Sequence, residues 1–368
     1  MAWEILWALI AGLLLASMIQ ALVRRSSVVC HLGDDRPRSM ALATALGAAS
    51  SSCSYAAVAL ARTLFRKGAS FTSAMAFEIA STNLVVELGI IMALLLGWQF
   101  TLAEFIGGPL MIVLLAVLFR LLLRRKLLLE ARSQADKGIA GSMEGHAAMD
   151  MSITATGSPW QRLRSPQGLT SVSHIFVMEW AAVLRDIVVG LLVAGAVAAW
   201  VPSRFWQVVL FVHHPALSEV WGPLVGPAAS MWSFVCSIGN VPLAAVLWNG
   251  GISFGGVVAF IFADLIILPI LTIYRKYYGT RMMLFLLGTF YVAMALSGYV
   301  VELIFQGLRL VPTARHAKVG AFGVTWNYTT ALDIAFLLLA MGLVLRFFRT
   351  GGVSMLRTIG SGADHREC

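Results

Sequence analysis

The chain has 368 residues, of which 59% are hydrophobic and only 12% charged, with a formal net charge of +9 and a mean hydropathy of +0.83. Soluble domains carry roughly 25% charged residues, so an ordinary soluble domain is excluded. The positive charge lies between long apolar runs, the pattern of loops facing an anionic membrane leaflet and not a nucleic-acid footprint.

Crossing a hydrocarbon core of ~30 Å takes about 20 apolar residues in a helix. Runs of this kind stand at 5–23, 69–97, 101–122, 177–200, 251–274, 281–306 and 329–348. Met1-Ala2-Trp3-Glu4 has no basic stretch, whereas Arg24 and Arg25 follow the first run. That order reads as an uncleaved anchor with its N-terminus outside. Two further stretches, 40–61 and 226–248, are rich in Gly, Ala, Ser and Cys, and the second carries Gly239, Asn240 and Pro242. Small polar residues and a proline at membrane depth predict broken backbone, held inside protein or beside a water-filled cavity.

Between the two halves, 123–175 is polar and is expected to be a flexible cytoplasmic linker. Its segment Gly145-His146-Ala147-Ala148-Met149-Asp150-Met151 has soft-metal donors, but its composition is that of a linker. The tail from 351 to 368 reads as a polar cytoplasmic end. The expected divisions are 1–122, 123–175, 176–306, 307–350 and 351–368.

An internal repeat organises the chain. Sliding Cys53 onto Cys236 aligns 53–84 with 236–267 without a gap, and twelve of the 32 positions are identical. They include Cys53/Cys236, Ser54/Ser237, Gly68/Gly251, Ser70/Ser253, Phe71/Phe254 and Ala76-Phe77/Ala259-Phe260. Scattered Ala and Leu matches would follow from shared apolar composition; matched Cys-Ser, Gly-x-Ser-Phe and Ala-Phe-x-x-Ala strings do not. Arg36 and Arg38 precede the first broken stretch and Arg62, Arg66 and Lys67 follow it. A hairpin that enters and leaves on one side puts both basic flanks in the cytoplasm, as the positive-inside rule asks. Continuing the count inverts the second half. Arg309, Arg315 and Lys318 are the exceptions, since they fall outside. The expected fold is an all-α polytopic membrane protein, an inverted-repeat helical bundle with two discontinuous, re-entrant segments and about nine membrane segments.

Candidate chemistry concentrates at the hairpin tips and in the spans. Cys53 and Ser54, and Cys236, Ser237, Gly239, Asn240 and Pro242, are candidate substrate-binding residues. Short half-helices aim backbone N–H groups at a midplane site, and thiolates are soft ligands. Ionisable side chains within spans are costly and point to function. Glu78, Asn83, Glu87 and Asp264 are therefore the candidate proton or polar pathway, with Asn83 and Glu87 four apart on one expected helix face. Asp264 aligns with Ser81. Glu179, Arg185 and Asp186 read as an interfacial charge cluster, and His213-His214 as an interfacial loop. Gly251 and Gly255 form a GxxxG, read as helix packing. The cysteines form no CxxC, disulfide framework or zinc spacing. No phosphate-binding loop, HExxH or GxSxG is present, so catalysis, a metal and a cofactor are not expected. The expected partners are a small-molecule substrate and the lipid bilayer, with no nucleic acid.

Cys236-Ser237-Ile238-Gly239-Asn240-Val241-Pro242 resembles the signature of the predicted permease family that includes the organoarsenical efflux permease ArsP, with Gly251 and Ala259-Phe260 matching its later parts. The resemblance covers about 40–97 and 226–275. It implies a secondary permease of the bacterial inner membrane, exporting a small solute such as a trivalent organoarsenical. The chain departs from the signature at Ile238 and Tyr55, where the motif has a second cysteine, so vicinal thiols are lost. A carrier for an unrelated solute and a non-transporting scaffold are the alternatives.

Overall fold

A computed structural model describes residues 2–22, 32–51, 54–136, 153, 158–200, 215–232, 237–315, 317 and 328–352. The described residues form helices joined by turns, with no strand among them. The first half contains α1 (Ala2–Leu22), α2 (Pro37–Ser50), α3 (Ser54–Arg66), α4 (Phe71–Asn83), α5 (Val86–Leu95), α6 (Trp98–Leu122) and α7 (Arg125–Ala135). Then come α8 (Pro159–Arg164), α9 (Pro166–Trp200), α10 (Pro215–Met231), α11 (Ser237–Gly250) and α12 (Phe254–Phe262). A 3-10 turn (Ala263–Ile266), α13 (Leu268–Tyr278), α14 (Thr280–Gly307) and α15 (Tyr328–Arg349) complete the set.

The first broken stretch folds back on itself. The Ser70 backbone N–H donates to the Leu32 carbonyl at 2.8 Å, and the Ser73 hydroxyl donates to the Asp34 carbonyl at 3.0 Å. Farther along, Gly47 lies against Phe77 and Ala80. α2 and α4 therefore run side by side in one direction, and α3 must return between them. The second stretch does the same, with Gly222 against Ser253 and Gly226 against Gly256 and Phe260. Glycine is needed at these crossings. A Cβ on Gly47 would stand 2.4 Å from the Phe77 carbonyl oxygen, and one on Gly226 2.4 Å from that of Gly256. The hairpin arms reach beyond the expected 40–61 and 226–248, to 37–66 and 215–250.

Both hairpins end in the same turn. Gly68 has φ +108° and Gly251 φ +109°, conformations that favour glycine. The N–H of Ala69 donates to Leu64 at 3.0 Å and that of Gly68 to Phe65 at 3.2 Å. The N–H of Ile252 donates to Leu247 at 3.2 Å and that of Gly251 to Trp248 at 3.1 Å. Each pair is a Schellman motif. Two residues on, Ser70 and Ser253 cap the next helix, accepting from the N–H of Ser73 and Gly256. The turn and the cap thus recur at the offset that superposes the sequences.

The stretches 69–97 and 251–274 differ from the single helices expected. α4 and α5 are bent by 41° at Leu84–Val85, and Phe254–Ile266 meets α13 at 42°. Pro269 opens α13, where its missing N–H costs little. Leu84–Val85 contains neither Pro nor Gly, so packing sets that bend: Leu84 seats against Gly108, where a Cβ would come within 2.4 Å of it.

The halves interlock through α6 and α14. The Ser297 hydroxyl donates to the Gly107 carbonyl at 2.8 Å, and Phe100 meets Phe254 with ring centroids 4.6 Å apart. Gly255 and Gly298 bring α12 and α14 into contact, each close to the other's carbonyl. The GxxxG thus divides its work: Gly255 serves packing and Gly251 the turn. α1, α9 and α15 form a neighbouring group, where the backbone N–H of Trp7 donates to Asp333 Oδ1 at 2.9 Å.

The linker is not irregular throughout. α7 places Ala131 and Ala135 in the core. Arg62 donates to the Ala135 carbonyl at 2.8 Å and Arg132 to that of Phe65 at 3.0 Å. Its apolar stripe at helical spacing is masked in the sequence by interleaved Arg and Lys. The segment 145–151 lies outside the described residues. Among them, three helices are long and apolar enough to cross a membrane, or five if each bent pair is one span.

Candidate functional site

The two hairpin arms that leave the tips, α3 and α11, begin at Ser54 and Ser237, which align in the repeat. Both serines are buried and converge on one carboxylate. The Ser54 hydroxyl donates to Asp264 Oδ2 at 2.7 Å, and Ser237 stands close enough to act on the same carboxyl. Asp264 is fully buried in the 3-10 turn at the second bend. Asn83, the last residue of α4 at the first bend, donates from Nδ2 to Asp264 Oδ1 at 3.4 Å. Two tips and two bends therefore meet at Asp264. The helix starts at Ser54 and Ser237 favour a negative charge there.

Further carboxyls surround this point. Glu78 is fully buried; one oxygen accepts from the Tyr274 hydroxyl, and the other has no hydrogen-bond partner among the described residues. Glu104, on α6, is fully buried with both oxygens unpartnered among the described residues, and it lies close enough to Asp264 to feel its charge. No Lys or Arg forms an ion pair with Glu78, Glu104 or Asp264 among the described residues. No described group of His, Cys, Asp and Glu is arranged to hold a metal ion.

The remaining candidates fall as follows. Asn240 Nδ2 donates to Ser230 Oγ at 3.3 Å and so ties α11 to α10 near the tip. Gly239 and Pro242 are buried in the first turns of α11, and Pro242 offers no N–H to the Ile238 carbonyl one turn back. Glu87 is buried in the first turn of α5. It does not share a helix face with Asn83 as expected, because the bend at Leu84–Val85 ends the regular spacing between them. Glu302 belongs elsewhere: its Oε2 accepts from the Gly255 N–H at 2.5 Å. Cys53, Cys236 and His213-His214 lie outside the described residues, as do the side chains of Glu179, Arg185 and Asp186.

Two further residues, Glu104 and Tyr274, belong to the site and are inconspicuous in the sequence. Glu104 sits near one end of an apolar run, where a carboxylate reads as interfacial. Tyr274 sits at the end of its run beside Arg275 and Lys276. A lone acid four to seven residues inside a span was the available signal for Glu104.

Apolar helices bent in pairs and closed around buried carboxyls define a multi-pass membrane protein with a polar interior. The chain belongs to the predicted permease family ArsP_1, whose model matches residues 1–303. It is similar to "Putative permease Rv2963" of Mycobacterium tuberculosis, 66% identical over 342 residues that cover 93% of this chain and 84% of that protein. It also resembles "UPF0718 protein YraQ" of Escherichia coli K12, 30% identical over 111 residues, 30% of this chain and 32% of that one. No solved structure matches it. Family membership points to a membrane permease.

Proposed function

We propose that the chain is a secondary transporter that exports a small solute across the bacterial inner membrane, binding it where the two hairpin tips meet. The observation that carries this reading is the convergence of Ser54, Ser237 and Asn83 on Asp264. Cys53 and Cys236 directly precede the two serines, so a thiophilic solute such as a trivalent organoarsenical is a fitting cargo. Gly239, Asn240 and Pro242 shape the second tip. Glu78, Asn83, Glu87 and Asp264, joined by Glu104, form a proton pathway: Glu78, Glu104 and Asp264, which have no basic partner among the described residues, take up a proton as the solute leaves. In this reading the repeats are inverted, the protein has about nine membrane segments, the N-terminus is outside and the C-terminus cytoplasmic.

Flux of a trivalent organoarsenical into sealed inverted vesicles, with and without a pH gradient, tests the proposal. Wild type transports, and Cys53→Ser with Cys236→Ser abolishes transport. Full flux in the double variant rejects thiol coordination. It would favour the second reading, a carrier for an unrelated solute, which the loss of vicinal thiols at Tyr55 and Ile238 already supports. No flux of any solute under any gradient rejects transport in favour of a scaffold.

A further inference from the structure

We propose that the groove between α2, α6 and α7 binds an anionic phospholipid from the leaflet on the basic side of the protein. The groove has a volume of about 1070 Å³, and Met40, Ala45, Ile112, Val113 and Ala116 are among its walls. Its lining on α6 extends from Arg120 to Pro109, roughly 16 Å at 1.5 Å per residue. That is about half of a ~30 Å hydrocarbon core, the depth of one leaflet. An acyl chain satisfies such a wall, whereas a soluble anion has no use for it.

The charged end supplies the headgroup site. α6 stops at Leu123, which is extended, and α7 starts at Arg125. This turn brings Arg120 and Arg125 to the same rim. Both are exposed and bond no described residue. Asp35 is the acidic residue on the rim. Arg36 is paired with Asp34 at 3.3 Å and adds little. The rim therefore keeps an excess of positive charge, and exposed Arg124 and Lys126 extend it. Basic pockets between spanning helices recognise acidic lipid headgroups on the cytoplasmic side.

The second half provides a comparison within the molecule. A groove of about 360 Å³ lies between α10 and α14, lined by residues including Pro223, Leu224, Tyr291 and Leu296, with no charged side chain. A groove beside a hairpin arm is thus common to both halves, and the arginines are particular to one. The proposal rests on the membrane placement and is independent of the solute carried.

The test uses the purified full chain in neutral detergent, titrated with phosphatidylglycerol or phosphatidylcholine, reading retained lipid by mass spectrometry and the melting temperature. Phosphatidylglycerol is expected to bind and stabilise more. Arg120→Gln with Arg125→Gln is expected to cut that preference by roughly ten- to thirtyfold. Ala116→Trp, which fills the groove and leaves the arginines in place, is expected to abolish retention. Equal effects of the two lipids, an undiminished preference in the double Arg variant, or equal protection by soluble glycerol phosphate would each overturn the proposal.

Discussion

Ser54 and Asp264 stand 210 positions apart in the chain, and the hydroxyl of one donates to the carboxylate of the other at 2.7 Å. The bond joins the tip of the first hairpin to the bend of the second half, so it couples the repeats at the centre of the bundle. Asp264 also accepts from Asn83 at 3.4 Å. Replacing it with Ala strands buried donors, at about 1–3 kcal/mol for each group left unsatisfied. Asp264→Ala is expected to lower the melting temperature clearly in detergent. Asp264→Asn, which keeps an oxygen for Ser54, should melt closer to wild type and still lose transport. Thermal melts of the three proteins beside vesicle flux check both parts.

Glu104 yields the opposite pairing of effects. Its oxygens have no hydrogen-bond partner among the described residues, so Glu104→Gln removes no bond seen there. Stability is expected to stay within about 1 kcal/mol of wild type. Flux should persist down a solute gradient and lose its response to an imposed pH gradient. A gradient response equal to wild type would remove Glu104 from the proton pathway.

Close approach of α12 and α14 makes a sharp steric prediction. A Cβ on Gly255 would stand 2.2 Å from the Gly298 carbonyl oxygen, whereas one on Gly288 meets nothing within 4 Å. Gly255→Ala is expected to destabilise by roughly 1–3 kcal/mol, the usual cost of overpacking. Gly288→Ala, in the middle of α14, should be neutral or gain up to about 1 kcal/mol from helix propensity. Parallel melts of the two variants decide it.

At Gly68 the expected cost is conformational. Its added Cβ would touch nothing within 4 Å, yet φ is +108°. Gly68→Ala should cost about 1–2 kcal/mol through backbone strain alone, and Gly68→Asn less than Ala because Asn tolerates positive φ better. If Ala and Asn melt alike, the left-handed turn is not what holds this position.

Much of this architecture could be read from residues. The Gly-x-Ser-Phe string encodes a helix stop, a left-handed turn and a cap within four positions, and it does so twice. Cys-Ser marks two helix starts, and an aspartate inside an apolar run marks the centre. What stayed hidden depends on packing. Leu84–Val85 bends without a Pro or Gly because Leu84 fits the space over Gly108, a contact between distant segments. That bend also undoes the spacing argument that linked Asn83 to Glu87. α7 looks like linker in the sequence because its charges conceal Ala131 and Ala135, which become visible only once a partner surface exists. Glu104 needed the fold, since near a helix end a carboxylate usually finds water.

Asp264 has no twin. The position that superposes on it is Ser81, whose hydroxyl turns back to the Glu78 carbonyl at 2.9 Å. At this pair of superposed positions one half presents a carboxylate and the other a hydroxyl, so the proposed junction is unlike on its two sides here. Duplication builds a meeting place; a single unmatched side chain gives it a polarity. Exchanging the two residues, Ser81→Asp with Asp264→Ser, would ask whether that polarity belongs to the residue or to its address.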